Sequence, residues 1–228
     1  ISSKQIDELI SYENNIDFEN VKKIELQTRH DVMAHILAYG DQCPQAKPII
    51  HLGATSCFVT DNADLIIQKQ ALQLLQEQLV TILRNLKSIA QKHNSTPCLS
   101  FTHYQPAQPT TFGKRIALWT QDFLTDLHEI TSRLNKLKFL GAKGATGTQA
   151  SFLSLFEGDF DKVQALDSYI SEEMGFSDQI FAISGQTYTR KQDISLVDTL
   201  SSFAASAHKF ANDIRLLCHD KEVEEPIE

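Results

Sequence analysis

His103 is the side chain in this sequence best placed to move a proton. It sits in the run Phe101-Thr102-His103-Tyr104-Gln105-Pro106-Ala107-Gln108-Pro109-Thr110-Thr111-Phe112-Gly113-Lys114-Arg115, between hydroxyl and amide side chains in a Pro-punctuated loop. The loop passes through Gly113 and two cations into a long apolar-striped helix. An imidazole fixed by polar neighbours at the mouth of a helix suits acid–base work near neutral pH. The bland alternative is a solvated surface histidine, so the other polar segments decide what weight this one carries.

Three further segments combine glycine with hydroxyl and amide side chains: Ile50-His51-Leu52-Gly53-Ala54-Thr55-Ser56-Cys57, Lys143-Gly144-Ala145-Thr146-Gly147-Thr148-Gln149-Ala150-Ser151 and Gly185-Gln186-Thr187-Tyr188-Thr189-Arg190-Lys191. Each alone reads as a turn, with Gly for positive φ and Ser or Thr as a cap. As a set at helix ends they offer hydroxyls, amides and backbone N–H groups to carboxylate or phosphate oxygens. A fourth cluster, Thr28-Arg29-His30-Asp31, lines up a bidentate cation, an imidazole and a carboxylate. Arg29 can clamp a phosphate or carboxylate, and Asp31 can orient a cation or a ribose hydroxyl. A solvated helix turn is the ordinary alternative.

Other chemistries lack their signatures. Gly-x-Gly-x-x-Gly, the P-loop, Gly-x-Ser-x-Gly and His-Glu-x-x-His are all absent from the sequence. His30 and His35, five apart, fall on different helix faces. Acid–base chemistry with no metal and no cofactor is the expectation that remains. The net charge of −8, without a basic tail or Arg-rich stripe, argues against nucleic-acid binding. An anionic ligand would have to be drawn in by local cations against that field. Cys43, Cys57, Cys98 and Cys218 are widely spaced and read as reduced thiols of a cytoplasmic protein. No apolar run is long enough to span a membrane.

The elements that must position these groups are mostly helices. Leu65, Leu72, Leu75, Leu79, Ile82, Leu86 and Ile89 mark one long helix, with Asp61 or Asn62 as N-cap and Asn94 to Pro97 as its end. Ile116, Trp119, Phe123, Leu127, Ile130, Leu134 and Leu137 mark a second, ending before Gly141. A third runs from about Asp193 to His219, with Val197, Leu200, Ala204, Ala207, Ala211 and Ile214 on one face and Phe203, Phe210 and Leu217 beside it. Shorter helices are expected over Val21 to Tyr39 and Asp161 to Glu173. The only strand candidates are weak ones at Ile49-Ile50 and Ile180 to Ile183. The class is all-α, a bundle of long helices whose uncovered flanks favour oligomerisation. The chain opens on Ile1 within an amphipathic pattern and stops at Glu225-Pro226-Ile227-Glu228, as expected of a piece of a longer protein.

The runs Arg29 to His35, His51 to Ser56, Phe101 to Arg115, Lys143 to Ser151, Gly185 to Lys191 and Asp213 to Leu217 occur in an order that resembles the adenylosuccinate lyase family, within the fumarase/aspartase superfamily. The resemblance covers essentially the whole chain. It implies an all-α homotetramer with a core of long helices and active sites shared between subunits. Residues 1–56 would end an N-terminal helical domain, and residues 57–228 would belong to the central long-helix domain. The implied reaction is β-elimination of fumarate from adenylosuccinate, giving AMP, and from SAICAR, giving AICAR, on a purine nucleotide substrate. By that resemblance His103 is the general acid and Thr102 contacts substrate beside it. Arg29, His30, Asp31, Thr55 and Ser56 would hold the nucleotide portion, and Gln186 the succinyl or base region. Lys114 and Gln149 rest only on their places within matching runs.

The family's catalytic base is a serine in a Ser-Ser-x-Met-Pro-x-Lys-x-Asn loop, and that signature is absent from these residues. An N-terminal Arg-Tyr pair and the C-terminal helical domain are missing too. Residues 1–228 alone are therefore expected to lack lyase activity. Three rival readings stand beside this one. They are another lyase of the superfamily, a structural protein that reuses the fold as lens crystallins do, and a plain coiled-coil scaffold. The last explains the stripes but not the matching loops.

Overall fold

The computed structural model describes residues 1–177 and 179–224; the terminal Glu225-Pro226-Ile227-Glu228 run lies outside them. Ten elements follow one another: α1 (Ser3–Tyr12), α2 (Phe18–Thr28), α3 (Asp31–Gln42), α4 (Ser56–Lys92), β1 (Pro97–Thr102), β2 (Gln105–Thr111), α5 (Phe112–Lys136), α6 (Ala150–Leu155), α7 (Phe160–Glu173) and α8 (Lys191–His219). A 3₁₀ turn occupies Lys47–Ile49, where a weak strand had been expected. The protein is mostly helical, as the periodicity requires. The chain forms two compact units, Ile1–Ile67 with Lys138–Thr189, and Gln68–Leu137 with Arg190–Glu228.

The second unit is built on the three long helices. On α4, Leu72, Leu79 and Leu86 recur every seventh residue and are buried, so one seam of a long helix faces the core throughout. Ile116, Trp119, Phe123 and Ile130 of α5 pack there with Leu217 of α8. On α8 the core face is Phe203, Ala207, Phe210 and Ile214. This corrects the expected stripe, because Val197 is 60% and Leu200 40% exposed. The aromatic rings win the interior because they bury more area per residue than alanine does. Trp119 meets Phe210 edge-on at 5.1 Å, and its indole N–H donates to Asp213 at 2.8 Å.

The largest departure from the sequence reading lies between α4 and α5. The loop expected around His103 is an antiparallel hairpin, with Pro97 opposite Thr111 and Thr102 opposite Gln105. Ser100 faces Gln108 and Phe101 faces Pro106, so Ala107 is the extra residue of a bulge. The bulge and the two prolines break the period-two pattern by which a strand is recognised. His103 and Tyr104 form the two-residue tip, both at φ 56°, the backbone of a type I′ turn. At the hairpin's base the Phe112 N–H donates to Thr96 and that of Gly113 to His93. A Cβ on Gly113 would collide with the Ala90 carbonyl, so only glycine lets the end of α4 and the start of α5 approach this closely.

The first unit holds the remaining helices. The single helix expected over Val21 to Tyr39 is two, α2 and α3, because Arg29 adopts left-handed backbone (φ 53°) and His30 an extended one. Val21, Ala34 and Ala38 pack between them. A second cluster joins Ala142, Phe152 and Val163. Ile180 forms only an isolated parallel bridge to Phe139.

The start of α4 also differs from expectation, at Ser56 rather than after Asp61 or Asn62. Those two residues are buried inside the helix, where Asp61 accepts the Tyr188 N–H at 2.9 Å. Asn62 accepts from the N–H groups of Leu140 and Gly141 and donates to the Gly141 carbonyl. Residue types that cap helices are also those that bind stray backbone groups, so composition alone could not separate the two roles.

Candidate functional site

The site in the first unit starts at the break between α2 and α3. The Arg29 N–H closes α2 on the Glu25 carbonyl at 2.7 Å, and the side chain of Arg29 projects into solvent with no partner among the described residues. His30 caps α3 through Nδ1, which faces the Met33 N–H at 3.5 Å. The same Nδ1 lies 3.3 Å from an Asp31 carboxylate oxygen. A neutral ring with its proton on Nε2 accepts from Met33, whereas an imidazolium donates Nδ1–H to Asp31. His30 thus has a ready partner in either state.

The other ring nitrogen reaches a second element. His30 Nε2 is 3.2 Å from the hydroxyl of Ser56, the first residue of α4. Next to it, Thr55 accepts a hydrogen bond from the Gln186 side-chain amide at 2.9 Å. The fold therefore gathers Arg29, His30, Asp31, Thr55, Ser56 and Gln186 from three separated stretches of chain. It presents a guanidinium, an imidazole, two hydroxyls and an amide at the start of a long helix, an arrangement suited to the oxygens of an anionic ligand.

Two glycine loops hold these stretches in place. Gly53, at φ +74°, supplies a carbonyl that accepts from Ser151 at 2.8 Å. Gly147, at φ +79°, lies so close to the Ser184 and Gly185 backbone that a Cβ would overlap it. That contact fixes the segment leading into Gln186. Gln149, a candidate by position, has its amide nitrogen committed to the Ala142 carbonyl and Asp167, each at 3.1 Å. Asp167 also accepts from Lys143 at 2.5 Å and from the Ala142 N–H at 2.6 Å. Lys143 and Asp167 form a largely buried ion pair that the sequence reading missed, since nothing in spacing links residues 24 apart.

His51, which stood in a polar run singled out for its hydroxyls, is half-buried in the structure. Burial, and then the neighbouring His30 charge, push its imidazole below the ordinary histidine value and favour the neutral ring. It borders a cavity of about 250 Å³ with Tyr12, Tyr39, Ile50 and Val59, whose apolar walls account for the desolvation.

Thr102, His103 and Lys114 belong to the second unit. Thr102 and His103 are exposed at the hairpin tip, and Lys114 stands in the first turn of α5, where its N–H is capped by Thr111 at 3.2 Å. Lys114 borders a cavity of about 250 Å³ with Tyr104, Arg115, Trp119 and Asp220. No helix among the described residues is long and apolar enough to cross a membrane.

A family model described as lyase matches residues 4–226. The chain belongs to the lyase family. This lyase-family chain is 54% identical over 212 residues to the adenylosuccinate lyase of Schizosaccharomyces pombe, covering 93% of the chain and 44% of that relative. It is 48% identical over 229 residues to the adenylosuccinate lyase of Schistosoma mansoni, covering all of the chain and 48% of that protein. The chain thus spans about half the length of the curated relatives it matches. Among solved structures, a fumarate lyase from a Mesorhizobium species superposes with a TM-score of 0.82 at 20% identity, over 96% of this chain and 50% of the other. At that identity the likeness establishes the long-helix fold alone.

Proposed function

We propose that these residues form the central portion of an adenylosuccinate lyase, which eliminates fumarate from adenylosuccinate to give AMP and from SAICAR to give AICAR. The observation that carries this reading is the linked set Asp31–His30–Ser56 and Thr55–Gln186 with the free guanidinium of Arg29 beside it. Its donors suit the phosphate and carboxylates of a succinylated purine nucleotide. In this reading Arg29, His30, Asp31, Thr55 and Ser56 bind the nucleotide portion, and Gln186 the succinyl or base region. Gln149 acts by supporting its loop, and Lys114 adds positive charge. His103 is the general acid, with Thr102 contacting substrate beside it. A base outside residues 1–228 removes the proton next to a carboxylate, the electron pair delocalises into that carboxylate, and His103 protonates the departing nitrogen as the C–N bond breaks.

The reading extends to domain, assembly and compartment. Residues 1–56 end an N-terminal helical domain, and residues 57–228 belong to the central one. Leu74, Leu118, Leu124, Ile194 and Val197 are exposed on the long helices, and the small Ala204 and Ala211 leave α8 open to close approach. Such apolar flanks suit a homotetramer packed through helices. Free cysteines suit the cytoplasm. The deciding experiment is His103→Ala in the full-length protein. Turnover should fall by about 10²–10⁴, as loss of an acid–base group does, and unchanged turnover removes His103 from the acid role.

A further inference from the structure

The hairpin that carries His103 has little of its own to keep that imidazole still. A two-stranded ribbon is marginal by itself, and no residue of β1 or β2 is buried. Its tip places His103 and Tyr104 in left-handed backbone, which non-glycine residues keep only where their surroundings over-determine it. Packing does not supply that restraint. A cavity of about 250 Å³ separates Ser100, Phe101 and Tyr104 of the hairpin from Leu216 and Asp220 at the end of α8.

Polar ties bridge the gap, and their carboxylates come from one short turn. The Tyr104 hydroxyl donates to the two carboxylate oxygens of Asp220 at 3.4 and 3.3 Å. Arg115, in the first turn of α5, donates one guanidinium nitrogen to the Leu99 carbonyl on β1 at 2.5 Å. Its other nitrogen pairs with Glu222, and the two side chains are only 12% and 22% exposed. Phe101 lies stacked against the Tyr104 ring, with the centroids 6.2 Å apart. One guanidinium fork thus joins strand and carboxylate at once, a geometry that lysine's single point charge does not reproduce.

We propose that the turn after α8 is a clamp for the His103 hairpin, with Asp220 holding the tip through Tyr104 and Glu222 holding β1 through Arg115. These four are positioning residues: none need touch the substrate, and each acts through the place it gives His103. The functional half of this assignment rests on the lyase reading above.

The test uses the full-length protein carrying Tyr104→Phe, Asp220→Asn, Asp220→Ala, Arg115→Lys and the Tyr104→Phe/Asp220→Ala pair. Two quantities are read, amide exchange over residues 97–111 and the separate kcat and KM for fumarate release. Tyr104→Phe deletes one exposed hydroxyl, so folding is not at stake. It should speed hairpin exchange and lower kcat by roughly 2- to 13-fold, the range for one lost hydrogen bond, with KM little changed. Asp220→Asn keeps an acceptor and should stay near wild type. The double variant should lose no more than Asp220→Ala alone, because both remove the same contact. Arg115→Lys should also speed exchange. Hairpin exchange unchanged in both Tyr104→Phe and Arg115→Lys overturns the clamp. Faster exchange with wild-type kcat overturns the positioning role. A wild-type protein that releases no fumarate fails the lyase reading instead, and exchange alone then decides the clamp.

Discussion

Asn62→Ala should loosen the backbone that leads into the Lys143 to Ser151 loop while leaving α4 helical. The residue is 5% exposed; its amide nitrogen donates to the Phe58 carbonyl within α4 at 2.9 Å, and both ends of the amide also reach one distant segment. Its oxygen accepts from the N–H groups of Leu140 at 3.1 Å and Gly141 at 3.2 Å, and its nitrogen donates to the Gly141 carbonyl at 3.1 Å. Leu140 and Gly141 are themselves buried, so water does not readily replace these bonds. Three neutral hydrogen bonds at about 1 kcal/mol each give a local loss of about 3 kcal/mol. At about 1.4 kcal/mol per tenfold, the Leu140 and Gly141 amides should exchange with solvent roughly a hundred times faster. Native-state hydrogen exchange followed by NMR or mass spectrometry reads this directly. A change below about threefold would mean that Asn62 is a bystander and that other contacts hold the segment.

Lys143→Met leaves the half-buried Asp167 carboxylate without its cation and should cost about 1–3 kcal/mol, read as a lowered urea midpoint; a midpoint unchanged from wild type would show that Asp167 is satisfied by Ala142 and Gln149 alone. Arg29→Ala removes an exposed guanidinium with no partner among the described residues, so it should raise KM for an anionic substrate and leave the urea midpoint within error; an unaltered KM counts against the clamp on the nucleotide. Because the folded His51 imidazole lies below its ordinary value, the unfolded ring takes up its proton first as pH falls. Stability is then lost between about pH 6.5 and the lower folded value, and it does not change further below that. His51→Gln should flatten that part of the stability–pH curve, and an unchanged slope would assign it to other groups.

The long helices were legible because their apolar residues repeat over many turns. Leu65, Leu72, Leu79 and Leu86 alone define a buried seam. What failed to show were features set by single residues in atypical roles. Arg29 carries left-handed backbone and His30 a helix cap, neither being a preferred residue for its position, so two helices read as one. The hairpin was hidden for a similar reason. Its turn is His-Tyr rather than Asn-Gly, and prolines interrupt β2. The polar runs at Thr55-Ser56 and Gln186 were visible as chemistry, but the bond between them spans 131 residues and follows from topology alone. Face assignment on α8 failed by a small rotation, because alanine and phenylalanine both fit an apolar stripe and only packing chose between them.

The most direct measurement is fumarate release from adenylosuccinate by the full-length protein, followed by absorbance, with residues 1–228 assayed beside it. The account predicts turnover in the full-length protein and none in residues 1–228. An inactive full-length protein, or equal turnover from residues 1–228, would contradict it.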